Sequence, residues 1–555
     1  MPVPISLALA DRSGVVLDPS ERVSFKTCAG LLVVLLALNL TILGIRVHSL
    51  IERGSLTATT GTEGSVVYSV WKARHNYPLY EAPGLIFTHT LYNFLYYETT
   101  ASVAKVLNVD ADELLLSTRL TTAAFALIGF FAGLMTVARF RLFSDRSHLV
   151  LAASAIALFW FGTVPVGWWA WSARPDIGAV CLASFGLLCF LIFLDSGSIW
   201  ILLLSSFFFF LAWAFKQSII WTFAGTVLVT LACRRKLKYL AALIGPLALC
   251  ALGALYLGGA DYRFNILTIP SMGFFDAANG VKAIVKNILE NPLLFLTPIL
   301  ALAVLMFTKT TAKEPPEPAA SSRFRLTVLS SIYLCTLAGG SFLCFRAGSD
   351  INYFFEAGMV AAIAALPSAI LLFSWSKRAS GWFFSLASLM LAGVCLIQLA
   401  IYFLPESREN IPSSLAFLRG KDFGRLRLLT QQQEQEQRLL AGLVAAAPKP
   451  VLVIDDIISQ PWHSTDGRYP AFSIDPIILL NMRLRGVMKD DRIATLIQLH
   501  RFSTVVVSVP DHISIARQSG YDFVASLQDG SEVLSLRTPS VPLSNPTVLS
   551  DRQDR

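Results

Sequence analysis

Charge is scarce in this chain. Of 555 residues only 15% are Asp, Glu, Lys or Arg, while 54% are hydrophobic. Soluble domains carry about a quarter charged residues, so the shortage excludes an ordinary soluble globular protein. Patterned cysteine is missing too. The eight cysteines (Cys28, Cys181, Cys189, Cys233, Cys250, Cys335, Cys344 and Cys395) lie in or beside apolar runs, with no CxxC pair and no His/Cys metal spacing. Neither a disulfide framework nor a zinc site is supported, and the thiols read as apolar fillers. No internal repeat is visible, whereas secondary transporters are commonly built from repeats. The net charge of +8 does not point to nucleic acid, because the basic residues cluster in short loops between apolar runs, where they set orientation.

What is present is a series of apolar runs of roughly twenty residues, the length that crosses a hydrocarbon core. Inside lipid the backbone must satisfy its own hydrogen bonds, so the runs are expected to be helices. They fall near 27–46, 119–138, 148–167, 177–194, 199–215, 218–232, 240–258, 292–308, 326–345, 355–374 and 382–403, about eleven spans by the length rule. The first lacks a small-residue cleavage site and is read as an uncleaved anchor. Arg139-Phe140-Arg141 with Arg146, Arg234 to Lys238, Lys309 to Arg325, and Lys377-Arg378 occupy alternate loops. That parity predicts a cytoplasmic amino terminus and, with an odd span count, a carboxy-terminal tail outside.

The fold class expected is therefore mostly α: a polytopic helical membrane protein with a small α/β extracytoplasmic C-terminal domain. Residues 1–25 form a cytoplasmic segment. Residues 26–403 form the transmembrane domain, with a first outer loop (47–118) too long for a connector. Within that loop Leu85 to Tyr97 mixes aromatic and polar positions and reads as an interfacial amphipathic helix. The inner stretch Lys309 to Arg325, with Glu314-Pro315-Pro316-Glu317-Pro318, reads as a proline-rich linker. Residues 404–540 have soluble character: Leu426 to Ala447 suggests a helix, and Val451 to Ile454, Thr504 to Val509 and Glu532 to Leu536 suggest strands. Residues 541–555 are polar and proline-containing and read as a disordered tail.

The unusual charges gather on the outer parity. Glu63, in Gly61-Thr62-Glu63-Gly64, is open to close approach; partial desolvation would make it a better proton acceptor for a hydroxyl. A solvated loop residue or a helix cap is the plainer alternative. Asp176, after Arg174-Pro175, suits a helix N-terminus, whereas Arg174 is unfavourable there unless an anion relieves it. Lys216 separates two apolar runs with almost no loop; it either snorkels or contacts a phosphate. Arg346 to Glu356 ends with a carboxylate at a span edge, a costly placement that Arg346 could offset. Tyr80-Glu81 lies in the first outer loop, and Asp455-Asp456 reads as a turn.

The order of these pieces carries a resemblance. An acidic residue after the first span, Tyr77-Pro78-Leu79-Tyr80-Glu81-Ala82-Pro83, an aromatic stretch, Arg119 opening the second span, Arg174-Pro175-Asp176 and Phe215-Lys216-Gln217-Ser218 resemble the GT-C superfamily of membrane glycosyltransferases. The likeness is to bacterial members of the protein O-mannosyltransferase and aminoarabinose transferase type, over roughly residues 26–375. It implies transfer of a sugar from a polyprenyl-phosphate donor, with inversion, to a lipid, glycan or protein acceptor at the outer face of a bacterial inner membrane. Glu63 would be the catalytic base. Arg174 and Lys216 would lie near the donor phosphate, with Tyr80, Glu81, Asp176, Arg346 and Glu356 as further substrate contacts, and no cofactor or metal. Many relatives carry aspartate or an acidic pair where Thr62-Glu63 stands, and the aminoarabinose transferases carry lysine at the place of Ala82, which argues against that substrate here. A transporter or lipid flippase, or an inactive scaffold with the same body, are the alternatives.

Overall fold

The computed structural model describes residues 30–41, 63–82, 89–110, 113–140, 146–162, 164–234, 236–291, 317–346, 351–376, 451–454, 471–473, 492–507, 509–526 and 532–536, with short or isolated positions elsewhere. The expected segments 1–25 and 541–555, the Asp455-Asp456 turn and nearly all of 292–308 and 382–403 lie outside the described residues.

The described chain is dominated by helices: α1 (Glu63–Arg74), α2 (Phe94–Val106), α3 (Leu114–Ala138), α4 (Arg146–Ala157), α5 (Val164–Trp169), α6 (Asp176–Ser196), α7 (Ile199–Phe215), α8 (Trp221–Arg234), α9 (Leu237–Leu257), α10 (Ala277–Glu290), α11 (Glu317–Cys344) and α12 (Phe355–Ser376). Four stretches are long and apolar enough to cross a membrane: Leu114–Ala138, Asp176–Ser196, Leu237–Leu257 and Phe324–Cys344. The protein is thus an integral membrane protein by these helices.

Helix α6 is the axis of the bundle. It is apolar all round and buried along nearly its whole length, as a helix surrounded by other helices must be. It packs against α3 and α7, and it ends at Gly197, whose φ of 65° is the left-handed conformation that closes helices. Helix α11 starts at Glu317, inside the expected proline-rich linker. Pro318 falls in the first turn, where a missing N–H leaves no bond unmade.

The chain runs alternately up and down, so helix ends sort to two faces. At one face Arg325 binds Asp195 Oδ1 at 2.9 Å and the Arg139 carbonyl at 2.5 Å, and Arg139 lies 3.6 Å from Asp195. These groups come from the end of α3, the end of α6 and the start of α11. The opposite face holds the starts of α1, α3, α6, α8 and α12 and the end of α7.

The C-terminal segments form a five-stranded sheet, order β2-β1-β3-β5-β4, from Val451–Ile454 (β1), Ala471–Ser473 (β2), Thr504–Val507 (β3), Tyr521–Ser526 (β4) and Glu532–Leu536 (β5). β1 pairs parallel to β2 and β3; β5 is antiparallel to β3 and β4. Its core residues Leu452, Ile497, Phe502, Val505 and Leu534 share one cluster with Ile269 and Met272 of the membrane body. Arg485 donates to the Met272 carbonyl at 3.2 Å and stacks on Phe274. The sheet therefore sits over the segment that follows α9.

Candidate functional site

Glu63 is the first residue of α1 and only 1% exposed, so it is neither a loop residue nor solvated. The bidentate fork of Arg119 holds it, Nε to Oε1 at 2.8 Å and Nη2 to Oε2 at 2.7 Å. The Ala173 N–H adds a bond to Oε1 at 2.6 Å. Arg119 lies in the second turn of α3 and is itself buried. A planar guanidinium matches a carboxylate in this way where a lysine could not.

Ala173 belongs to the turn that carries Arg174 and Asp176, so Glu63 and Asp176 flank one short stretch of backbone. Asp176 opens α6 without capping it. Its fully buried carboxylate instead forms an ion pair with Lys216 through Oδ1, which also accepts from Asn352 Nδ2 at 2.9 Å. Arg174 Nε stands 3.7 Å from Oδ2. Lys216 is 4% exposed and does not snorkel. It ends α7 in extended conformation, with its ammonium 5.4 Å from the Tyr92 ring and 5.6 Å from the Tyr353 ring. Arg174 lies 4.1 Å over Trp169 and 5.8 Å from Tyr92. Aromatic faces stabilise buried cations without neutralising them. Three cations (Arg119, Arg174, Lys216) and two carboxylates (Glu63, Asp176) leave one net positive charge in a buried cluster, an arrangement that favours an anionic ligand. Tyr96 lies near both carboxylates; burial pushes its phenol above the ordinary range and holds it neutral, while its hydroxyl meets Thr122 at 3.3 Å.

The first outer segment is pinned beside this cluster. Tyr80 donates to the Tyr92 carbonyl at 2.8 Å, and Tyr262 donates to Asn93, whose Nδ2 bonds the Trp213 carbonyl at 2.5 Å. Asn265 bonds the Glu81 carbonyl, the Asp261 carbonyl and the Thr90 N–H. Glu81 pairs with Lys72 at 3.2 Å. Burial pulls the Lys72 ammonium below its usual range, and Glu81 opposes that shift.

No family model matches the sequence, and no curated protein matches it by sequence. Comparison of structures does find similar folds. The ArnT structure from Cupriavidus metallidurans bound to undecaprenyl phosphate aligns with 92% of this chain and 99% of that one, with a TM-score of 0.56 at 14% identity. The apo ArnT structure from the same organism aligns with 91% and 98%, with a TM-score of 0.52 at 14% identity. The chain shares the fold of these two ArnT structures.

Within that fold, the structure brings Glu63, Arg174, Asp176 and Lys216 together at one end of the bundle, with Tyr80 and Glu81 in the adjoining segment. Glu356 does not pair with Arg346. Its carboxylate accepts the Trp221 and Thr222 N–H groups at 3.2 and 2.7 Å and so caps α8. Arg346 forms a backbone bridge with Phe275 and makes no ion pair among the described residues. Sequence reasoning used Arg119 only as a landmark and passed over Asn352, Tyr92 and Lys72. An arginine within an apolar helix was the one available signal, since such a residue requires a partner. Among the described residues no group of three His, Cys, Asp or Glu could hold a metal.

Proposed function

We propose that the chain transfers a sugar, hexose or pentose, from a polyprenyl-phosphate donor to a lipid, glycan or protein acceptor at the outer face of a bacterial inner membrane. The observation that carries this reading is the buried cluster with one excess positive charge, at the end of a membrane bundle with the fold of ArnT. In that setting Arg174 and Lys216 stabilise the departing lipid phosphate by preorganised charge. The acceptor oxygen bonds to the anomeric carbon from the face opposite the phosphate. The carbon–oxygen bond to phosphate breaks, its electron pair stays on the phosphate, and the configuration inverts. A carboxylate takes the acceptor proton, and neither a cofactor nor a metal is invoked. The proposed orientation has the amino terminus inside, about eleven spans by the length rule, and the sheet domain outside.

Glu63 is the proposed base. Asp176 supports a second assignment, because among the described residues its Oδ2 accepts no hydrogen bond whereas both oxygens of Glu63 do. Mass spectrometry of lipid-linked sugars and envelope glycans, with and without the protein, tests the activity; unchanged profiles would point to the transporter or scaffold alternatives. Loss of a base lowers the rate by about a hundredfold or more. Glu63→Gln strands the buried Arg119 and so lowers the thermal midpoint, but below that midpoint it should show the rate loss in a reconstituted transfer assay while donor binding persists. Full activity in both Glu63→Gln and Glu63→Ala would remove Glu63 as the base, and loss in Asp176→Asn alone would transfer the role to Asp176.

A further inference from the structure

Two amide side chains beside Lys216 end in oxygens that accept nothing. Asn352 Nδ2 donates to Asp176 Oδ1 at 2.9 Å, and Gln217 Nε2 donates to the Leu91 carbonyl at 2.8 Å. An ionised carboxylate and a backbone carbonyl only accept, so the atom facing each must be the amide nitrogen. The other end of each side chain is then fixed as the carbonyl oxygen. Asn352 Oδ1 and Gln217 Oε1 are both buried without a hydrogen-bond partner among the described residues. Native proteins leave few such groups, and each calls for a donor.

Both residues adjoin Lys216, one through a shared carboxylate and one along the chain. Asn352 shares Asp176 Oδ1 with Lys216. Gln217 is the next residue along the chain, anchored to Leu91, the neighbour of the Tyr92 ring that lies 5.4 Å from the Lys216 ammonium. The cluster and its neighbours thus offer donors from the cations and acceptors from two neutral amides. A glycosyl phosphate has the complementary halves: an anion and a ring of hydroxyl donors.

The geometry points to Asn352 and Gln217 as specificity-determining residues that accept hydrogen bonds from the hydroxyls of a neutral sugar. The inference rests on the polyprenyl-phosphate reading above and narrows its substrate class. The donor phosphodiester cancels the single excess charge of the cluster. An amino sugar would restore a buried positive charge faced only by neutral amide oxygens, which is costly.

The test measures affinities of the full chain in nanodiscs for undecaprenyl phosphate, for undecaprenyl-phosphate-linked glucose, and for the same lipid carrying an amino sugar. Wild type should bind the glucosyl lipid more tightly than the bare lipid, and the amino-sugar lipid no more tightly than the bare lipid. Gln217→Met and Asn352→Leu should each weaken the glucosyl lipid by about tenfold, the worth of one hydrogen bond left unmade. For Gln217→Met, which leaves the Asp176–Lys216 pair untouched, bare-lipid affinity should change by less than about twofold, the measure that also shows this variant folded. Equal losses on both lipids would assign the two residues to holding Lys216 only and overturn the inference, as would unchanged glucosyl affinity or preference for the amino sugar. Failure of wild type to bind any of the three would instead bring down the polyprenyl-phosphate reading itself.

Discussion

Arg119 and Glu63 are separated by 55 intervening residues and meet as a buried bidentate pair, so each is the condition for the other's burial. Breaking a buried pair from one side strands a charge and costs about 3–5 kcal/mol, whereas removing both partners can be nearly neutral. Arg119→Met should therefore lower the thermal midpoint sharply in detergent, and Arg119→Met with Glu63→Gln should recover most of the loss; additive losses would show that the two residues do not act as a pair. Lys72 makes a pH-dependent case. Its folded ammonium titrates below its unfolded value, chiefly through burial and against the pull of Glu81. The unfolded chain then binds more protons in the window between the two values, so stability rises with pH there. Glu81→Gln removes the opposing pull and widens the window downwards. The variant should gain more stability than wild type as pH rises towards the unfolded lysine value, read as the shift in Tm with pH; an identical gain would uncouple the two residues. At this scale sequence shows which charges are odd, since Lys216 and Asp176 stand at apolar edges, but not who meets whom. The Lys216–Asp176 pair spans 40 residues, and periodicity reveals neighbours only within one element.

Between elements, close helix contact depends on what is missing from a side chain. A Cβ at Gly225 of α8 would lie 2.9 Å from the Ile332 Cα of α11, and one at Gly339 of α11 would fall inside the Trp221 indole of α8. In lipid, helices associate through such small residues because apolar burial gives little drive there. This interface also bears on the site, since the same α8 N-terminus is held by Glu356. Gly339→Ala or Gly225→Val should cost roughly 1–3 kcal/mol by overpacking and reduce folded yield, whereas Gly253→Ala on α9, with open space around it, should leave the midpoint nearly unchanged. Equal effects at all three would refute close packing of α8 on α11. Helices α6, α7 and α12 could be read from sequence because long apolar runs leave no competing period. Strands β1, β3 and β5 showed as β-branched or aliphatic runs. The short β2 and the weakly alternating Tyr521–Ser526 did not, because pairing with neighbours, not local pattern, makes them strands. The start of α11 at Glu317 was hidden by prolines that are tolerated in a first turn.

For the whole molecule, the relation that matters is which face each part occupies. Glu63, Arg174 and Lys216 lie at one end of the bundle. The sheet core joins Ile269 and Met272 on the segment reached after α9 returns from the Arg234–Lys236 end. The Arg139, Asp195 and Arg325 group closes the opposite end. Charge parity in the sequence suggested the same sorting, yet the parity of the tail hung on an exact span count, and a single added or lost span would reverse it. The contact between sheet and membrane body removes that dependence, because it ties the tail to the cluster's end whatever the count. Orientation then follows from one labelling experiment in intact spheroplasts. A membrane-impermeant maleimide should react with Val524→Cys on the exposed side of β4, and fail with the exposed Lys236→Cys between α8 and α9 until the membrane is opened. The reverse pattern would place the cluster in the cytoplasm and exclude transfer at the outer face. Labelling of both in closed spheroplasts would break the opposition of the two ends on which the site's sidedness depends.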